Sequence, residues 1–490
     1  MSGSSLRVVV VGGGVTGLAA AHELARLAAE RPADGLRVTL IEAADRLGGK
    51  VQTDHVDELL LERGPDAVFL RSPFWLELCQ RLGLADQVVR ANPEHRQSYI
   101  LRRGRLHGIP GGMEGGVPRS IWPMAASGLL SPWGKVRAAL EAIVPAAHPD
   151  GDESVDGFIR RRFGAEVAER IALPLLGGIY SNDTRRLSLL ATTPHLRAAE
   201  REHRSLLLGA RRAAHRPAAN KGPGSGGRSQ SPFVSLRGGL ECLTTALAAR
   251  LSGVDVRPRT RVMALMPTPT GESAFTLALG DGQRLVADRV ILTVPAFAAA
   301  ELLRPLSVVA AMQLDRVNYA SAAIVTLAFP AGSITLPHGS GFIVSPDEGR
   351  LLSACSWTSQ KWPHTAPDGV ILLRCHLHAT EHATILDLDD IGLERTVRAE
   401  LGELLGITAT PRLTRVYRWP RALASYEVGH LDRLATLDRA LADLPGVFLA
   451  GAGYRGVGVA ECARQGIEAA ARTVAVPSPN GVPASVAGTR

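Results

Sequence analysis

Gly12, Gly14 and Gly17 make a G-x-G-x-x-G spacing between a valine-rich run at 6–11 and a helix-forming stretch at 15–31. Each glycine answers a different need. Gly12 permits a tight turn, Gly14 lets a pyrophosphate approach the backbone, and Gly17 lets helix and strand pack closely. Gly13, Val15 and Thr16 fill the rest of the turn, where N–H groups at a helix start attract phosphate charge. Glu42 ends a second expected strand at 37–41, placed to accept hydrogen bonds from ribose hydroxyls. It lies 25 residues after Gly17, slightly far, and the Pro-Ala-Asp-Gly turn at 32–35 supplies the extra length. Strand, turn, helix and acid in register predict a dinucleotide site.

The next residues narrow the dinucleotide. Glu42, Ala43, Arg46, Gly48, Gly49 and Lys50 resemble the flavoprotein pattern E-x(3)-R-x-G-G, which favours FAD over NAD. The glycine pair lets the chain pass close to a diphosphate, and Arg46 and Lys50 could offset its charge. Lys50 stands out because only four of the 55 cationic residues are lysines. A second glycine cluster contains Gly451, Gly453, Gly456, Val457, Gly458 and Val459. It follows an expected strand at 447–450 and opens an expected helix at 461–474, so its N–H groups can serve the same ligand. Two such turns hundreds of residues apart imply a discontinuous cofactor domain. Gly64, Pro65 and Asp66 form a further tight turn that could bring backbone against a flavin ring.

The elements that position these residues must come from an ordinary large globular chain. The 490 residues suggest roughly three domain-sized units, and 46% hydrophobic with 21% charged content excludes global disorder. No uncharged apolar run reaches the ~18 residues that span a bilayer. The five cysteines are few, odd in number and without C-x-x-C spacing, which fits a reducing compartment and a soluble, cytoplasmic protein. The apolar start at 8–21 imitates a signal peptide, but a strand feeding a glycine turn accounts for every residue there. The formal charge of +8 comes from scattered arginines with no aromatic interleaving, so nucleic acid is not an expected partner. An acidic small substrate or an anionic membrane surface suits that charge. His376, His378, Glu381 and His382 have metal-like composition, but period-two spacing reads better as a strand face, and no metal is expected.

The segments Glu62 to Asp66, Pro174 to Tyr180, His203 to Leu206, Lys361 to His364, Tyr426 to His430 and Gly456 to Gly458 carry a resemblance. In order and spacing, over about 6–475, the chain is similar to the protoporphyrinogen and coproporphyrinogen oxidase family of monoamine-oxidase-like flavoproteins, especially the Gram-positive bacterial type. The resemblance implies a two-lobed α/β flavoprotein with a Rossmann-like FAD domain (1–75, 233–300 and 430–476) and a mixed-sheet substrate domain (76–117 and 301–429). A helical substrate or membrane domain (118–210), a loop (211–232) and a tail (477–490) complete it. It implies FAD- and dioxygen-dependent oxidation of coproporphyrinogen III to coproporphyrin III with release of hydrogen peroxide. Alternatives are protoporphyrinogen IX, amine or polyene oxidation on the same scaffold, or a flavin-binding scaffold without turnover. Residue by residue it suggests Gly178 as a pocket glycine where the macrocycle meets the flavin, Trp362 as an aromatic packed on the tetrapyrrole, and Arg71 as a propionate cation. Val262 then lies on the adenine side and Trp419 beside the flavin. The uncharged stretch 120–134, with Trp122 and Trp133, is a channel wall, a domain core or a peripheral membrane contact. Arg455 departs from the family pattern and adds a cation near the flavin-side loop.

Overall fold

The computed structural model describes residues 5–32, 35–114, 116–118, 120–146, 151–180, 184–215, 231–268, 274–378 and 385–475. Five strands form a sheet in the order Val254–Arg257, Arg37–Ile41, Arg7–Val11, Arg289–Leu292, Val447–Leu449. Every pairing in it is parallel. Val8 to Val11 are buried without alternation, as a strand covered on both faces requires. The chain order reverses at Arg7–Val11, which has Arg37–Ile41 on one side and Arg289–Leu292 on the other. Doubly wound sheets open a ligand crevice at such a point, beyond the carboxyl ends of the strands. The first glycine turn leaves the sheet there.

Two helices pack over this crevice from opposite ends of the chain, Val15–Glu30 and Val459–Ala475. Both helices bury small residues: Ala19, Ala20, Ala21, Ala463, Ala469 and Ala470 are all fully buried. The approach is so close that a Cβ on Gly466 would lie 2.2 Å from the Thr16 carbonyl oxygen.

A second sheet of seven strands runs in the order Leu413–Ala424, Tyr319–Pro330, Val370–His378, Leu352–Trp357, Gly341–Val344, Ser98–Arg102, Arg105–Gly108. Its pairings are antiparallel except that between Gly341–Val344 and Ser98–Arg102, which makes the sheet mixed. Helix Asp390–Leu405 covers one face with Leu393, Val397 and Leu401, and Asp389 caps it by accepting the Gly392 N–H at 2.7 Å.

Between Ile121 and His215 the described chain is helical, around a core that includes Phe158, Ile159, Phe163 and Leu196. Arg162 and Glu141 pair inside it, both fully buried, and Glu141 also accepts from the Ser205 hydroxyl at 2.6 Å and the Leu206 N–H at 2.9 Å. Removing either partner would strand a buried charge. The helix Leu206–His215 continues through the start of the segment expected as a loop from 211. Residues 216–230 and the expected tail 477–490 lie outside the described residues. Among the described residues no helix is long and apolar enough to cross a membrane.

The helix crossing yields a paired test. Gly466→Ala forces a methyl group onto a carbonyl and should destabilise the protein by about 1–3 kcal/mol. Gly402→Ala, in a helix where an added Cβ meets nothing nearer than the Ile407 carbonyl oxygen at 3.5 Å, should be neutral or stabilising. Thermal unfolding midpoints of the two variants check this, and a Gly466→Ala midpoint at or above that of the parent would contradict the crossing.

Candidate functional site

Three backbone turns, 12–17, 62–66 and 451–456, gather about the start of helix Val15–Glu30, with a fourth at 48–50 laid on the first. Gly12 has φ +109° and donates its N–H to the Ile41 carbonyl at 2.8 Å. A Cβ on Gly17 would fall 1.8 Å from the Gly12 carbonyl oxygen, so glycine alone lets the helix begin this close to the strand. Gly14 is the N-cap and has no capping side chain, while a Cβ there would meet only Gly49 Cα at 4.0 Å. Val15 and Thr16 follow in a first turn whose N–H groups have no intrahelical partner. The 48–50 turn lies directly on this one. Gly48 N–H donates to the Gly13 carbonyl at 2.8 Å, and a Cβ on Gly49 would be 3.0 Å from Gly14 Cα.

Glu42 accepts from Gly13 N–H at 2.6 Å and Ala44 N–H at 2.7 Å, which fixes its carboxylate beside the turn, with Ala43 exposed next to it. Thr260 and Arg259 N–H groups donate to the Glu42 and Ala44 carbonyls, each at 2.8 Å, and bring Val262 to the same end of the crevice. Arg46 and Lys50 tie the turn to neighbouring elements. Arg46 pairs with Glu241 of helix Glu241–Ala248, and the Lys50 ammonium donates to the Ala422 carbonyl of strand Leu413–Ala424. Burial pulls the Lys50 pKa below the usual lysine range.

The 62–66 turn is held by donors from the mixed sheet. Gly64 is pressed against Lys50, whose carbonyl oxygen would lie 2.0 Å from a Cβ. The Trp419 indole N–H donates to the Arg63 carbonyl at 2.6 Å. Buried Arg374 donates to the Glu62 carbonyl at 3.3 Å and to the Gly64 carbonyl, and pairs with Asp66 at 3.6 Å. Beyond Pro65, Asp66 also takes the Lys361 ammonium at 3.2 Å and the Trp362 indole N–H at 3.4 Å. Burial alone would raise the Asp66 pKa, but Lys361 and Arg374 outweigh it and hold the carboxyl well below the carboxylate range. The Glu62 carboxyl, accepting from Leu240 N–H at 2.6 Å and the Thr53 hydroxyl at 2.9 Å, is pushed up to about 7, chiefly by burial.

The third turn is clamped from below. Gly451 and Gly456 have φ of +132° and +139°, a Cβ on Gly453 would be 2.8 Å from the Tyr319 hydroxyl, and one on Gly458 would meet nothing within 4 Å. Val457 packs half-buried, and Val459 starts the C-terminal helix. The Tyr426 hydroxyl donates to the Ala452 carbonyl at 2.8 Å and accepts from Gly456 N–H at 2.7 Å. His430 stacks on Tyr426 with centroids 4.1 Å apart, and its Nε2 lies 2.8 Å from the Tyr454 carbonyl, which assigns the proton to Nε2. Burial pushes the His430 pKa down to about 4. Arg455 is half exposed and pairs through one guanidinium nitrogen with both carboxylate oxygens of Asp438, at 2.7 and 2.5 Å, which offsets its charge beside the turn.

The remaining expected residues fall as follows. Gly178 belongs to helix Leu173–Tyr180, and its surroundings lie outside the described residues. Arg71 is exposed, with its guanidinium 5.8 Å from the Phe69 ring centroid. Trp362 is 1% exposed, so its ring is covered in this structure, and its indole N–H donates to Asp66. His376 Nε2 lies 3.1 Å from Arg374. Among the described residues no group of three potential ligands could hold a metal, while Glu381 and His382 lie outside them. Sequence reasoning missed the parts played by Arg374, Tyr426, His430 and Gly466. A lone arginine in an apolar strand, a Tyr-x-x-x-His spacing and a glycine inside a long helix were the available signals.

A row of backbone turns bare of side chains, with an acid at one end, fits an extended dinucleotide. Residues 15–474 match the family of flavin-containing amine oxidoreductases. The coproporphyrinogen III oxidase of Bacillus subtilis (strain 168) is 38% identical over 468 residues, 95% of this chain and 97% of that protein. The chloroplastic protoporphyrinogen oxidase 1 of Spinacia oleracea is 30% identical, with 96% of this chain and 84% of that one covered. A solved structure from Exiguobacterium sp. 255-15, assigned as a protoporphyrinogen oxidase, superposes with a TM-score of 0.84 at 32% identity, covering 96% of this chain and 98% of the other. Putrescine oxidase, at 20% identity and a TM-score of 0.67 over 96% of this chain and 100% of its own, shares the fold.

His430 gives the site a pH signature. It is neutral when folded until about pH 4, whereas the unfolded chain protonates it near 6.5, so the unfolded state binds more protons in that window. Stability then rises with pH from 4 to 6.5, by about 1.4 kcal/mol per unit at most from this group. Urea unfolding of the parent and of His430→Gln between pH 4.5 and 7 should show a shallower slope in the variant, and identical slopes would contradict the assignment.

Proposed function

We propose, from the premise that this chain belongs to the flavin-containing amine oxidoreductases and within them to the porphyrinogen oxidases, that it oxidises coproporphyrinogen III to coproporphyrin III. FAD is the cofactor and dioxygen the acceptor. The observation that carries the reading is the meeting of three bare glycine turns at one helix start, with cationic side chains close by. The likeness to the Bacillus enzyme supports the choice of substrate.

Gly12 to Gly17 would hold the diphosphate, Glu42, Ala43 and Val262 the adenosine end, and Gly49, the turn from Gly64 to Asp66, Trp419, Gly453 and Val457 to Val459 the ring. FAD held there would supply a two-electron hydride acceptor with dioxygen as the terminal oxidant, and three such oxidations, each reducing one dioxygen to hydrogen peroxide, account for the six electrons and six hydrogens lost between coproporphyrinogen III and coproporphyrin III. The chain's own task is orientation. A bridging C–H between two pyrroles is an electron-rich donor, so holding it in line is worth more than a nucleophile or a base. Asp66, with Lys361, Trp362 and Arg374, keeps the 62–66 turn rigid, and Trp362 serves the macrocycle through that turn. Arg71 meets a propionate, and Gly178 leaves room for a flat ligand.

A second reading, protoporphyrinogen IX, is favoured by the spinach relative. It is less suited to a basic chain, since that substrate carries two propionates and coproporphyrinogen III four. Amine oxidation rests on shared fold alone. Anaerobic mixing with each porphyrinogen, followed by flavin absorbance, decides among them. Coproporphyrinogen III should bleach the flavin with a second-order rate about tenfold or more above that of protoporphyrinogen IX, equivalent to ~1.4 kcal/mol. A consistent preference for protoporphyrinogen IX would overturn the substrate, and reduction by amines alone would overturn the class.

The helical region supports a further reading, peripheral contact with an anionic bilayer. Trp122, Trp133 and Ile143 are 78%, 81% and 76% exposed, and Val136, Leu140 and Leu208 are exposed as well. Lys135 stands between Trp133 and Val136, and helix Leu206–His215, which carries Arg211 and Arg212, packs against Leu140–Ile143. Tryptophan suits the headgroup level and cations suit anionic lipid. The parent should co-sediment with phosphatidylserine-containing vesicles, and the double variant Trp122→Ser, Trp133→Ser should lose about tenfold or more of that binding. Equal sedimentation of the two proteins would contradict the contact.

A further inference from the structure

Arg421 is a strained residue close to the 48–50, 62–66 and 451–456 turns. Its φ of +47° is a left-handed conformation that costs a non-glycine residue free energy, and such outliers gather where function requires them. It sits at an irregularity in Leu413–Ala424, where pairing with Tyr319–Pro330 slips between Ala320 and Ala322. Its N–H donates to the Ser321 hydroxyl at 3.0 Å, and its exposed guanidinium stacks 3.7 Å from the Phe297 ring centroid. Phe297 meets Tyr319 edge-on at 5.3 Å, and the Tyr319 hydroxyl is the atom a Cβ on Gly453 would strike. Two residues before Arg421, Trp419 holds the Arg63 carbonyl, and one residue after it, the Ala422 carbonyl receives Lys50. The irregularity therefore presents Arg421 where the 48–50, 62–66 and 451–456 turns come together.

Among the described residues neither Arg421 nor Arg71 forms an ion pair. The two are reached from opposite ends of the 62–66 turn. Arg421 connects to Arg63 and Gly64 through Trp419. Arg71 connects to Asp66 through Phe69, which packs edge-on against Phe233 at 5.2 Å, and through Lys361, 5.7 Å from the Phe233 ring.

We propose that Arg421 is a second carboxylate-binding residue of the substrate site and that it sets the preference for a tetracarboxylate over a dicarboxylate porphyrinogen. The proposal rests on the function given above. A macrocycle lying over the turn with propionates around its whole rim can reach a guanidinium at each end. One whose two propionates sit on adjacent pyrroles can reach only one of them. Stacking on Phe297 holds the Arg421 fork in a fixed plane, which favours bidentate binding of a carboxylate.

The test is steady-state turnover of coproporphyrinogen III and protoporphyrinogen IX by the parent, Arg421→Asn and Arg421→Lys, with FAD content measured for each. Asparagine tolerates the left-handed backbone, so this variant keeps the local fold. The ratio of kcat/KM for coproporphyrinogen III to that for protoporphyrinogen IX should fall about tenfold in Arg421→Asn, through KM, and recover in part in Arg421→Lys. FAD content should match the parent in both. An unchanged ratio, or loss of FAD from both variants, would overturn the proposal while leaving the function intact. Turnover of neither porphyrinogen by the parent would instead overturn the function itself.

Discussion

Three backbone crossings with no room for a methyl group organise this molecule. A Cβ on Gly17, Gly64 or Gly466 would lie 1.8, 2.0 or 2.2 Å from the carbonyl oxygen of Gly12, Lys50 or Thr16 respectively. Each crossing joins a different part of the chain to the start of helix Val15–Glu30 or to the 48–50 turn laid upon it. Because glycine allows backbone to meet backbone there, the peptide groups of the three turns stay within reach of a ligand. The parallel sheet places the first turn at its point of reversed strand order, and the crossings bring the others to it.

The second sheet supplies the clamps. Arg374 comes from the middle of the seven strands and Trp419 from its edge, yet both end on carbonyls of the 62–66 turn. Lys50 returns the connection by reaching the Ala422 carbonyl. Cations directed at carbonyl oxygens satisfy polar backbone that would otherwise be buried without partners. They also join the mixed sheet to the turns at 48–50 and 62–66. On the other side, Tyr426 and His430 do the same for the third turn with neutral groups. The neutrality follows from burial, which keeps His430 uncharged well below its ordinary pKa.

What was legible in the sequence was local. The 12–17 turn, the 42–50 pattern and the glycine cluster from 451 each declare themselves within about ten residues, and the strands and helices flanking them lie where periodicity puts them. What was not legible depends on partners far along the chain. The partners of Arg46 and Trp362, Glu241 and Asp66, lie 195 and 296 residues away along the chain, beyond any local spacing. Arg455 looked like a stray charge because Asp438 sits on a helix whose approach no spacing announces. The start of the expected loop at 211 continues as helix, since its alanines and arginines favour helix as readily as solvent. The left-handed backbone of Arg421 is a consequence of strand slippage, which no residue type signals.

The central claim is that the three turns form a single FAD site facing a porphyrinogen. A crystal structure of the chain with FAD and coproporphyrin III tests it most directly. The account predicts diphosphate density against Gly12 to Gly17, the flavin ring between the 62–66 and 451–456 turns, and the macrocycle over the 62–66 turn. A diphosphate lodged elsewhere, or a porphyrin bound away from that turn, would contradict it.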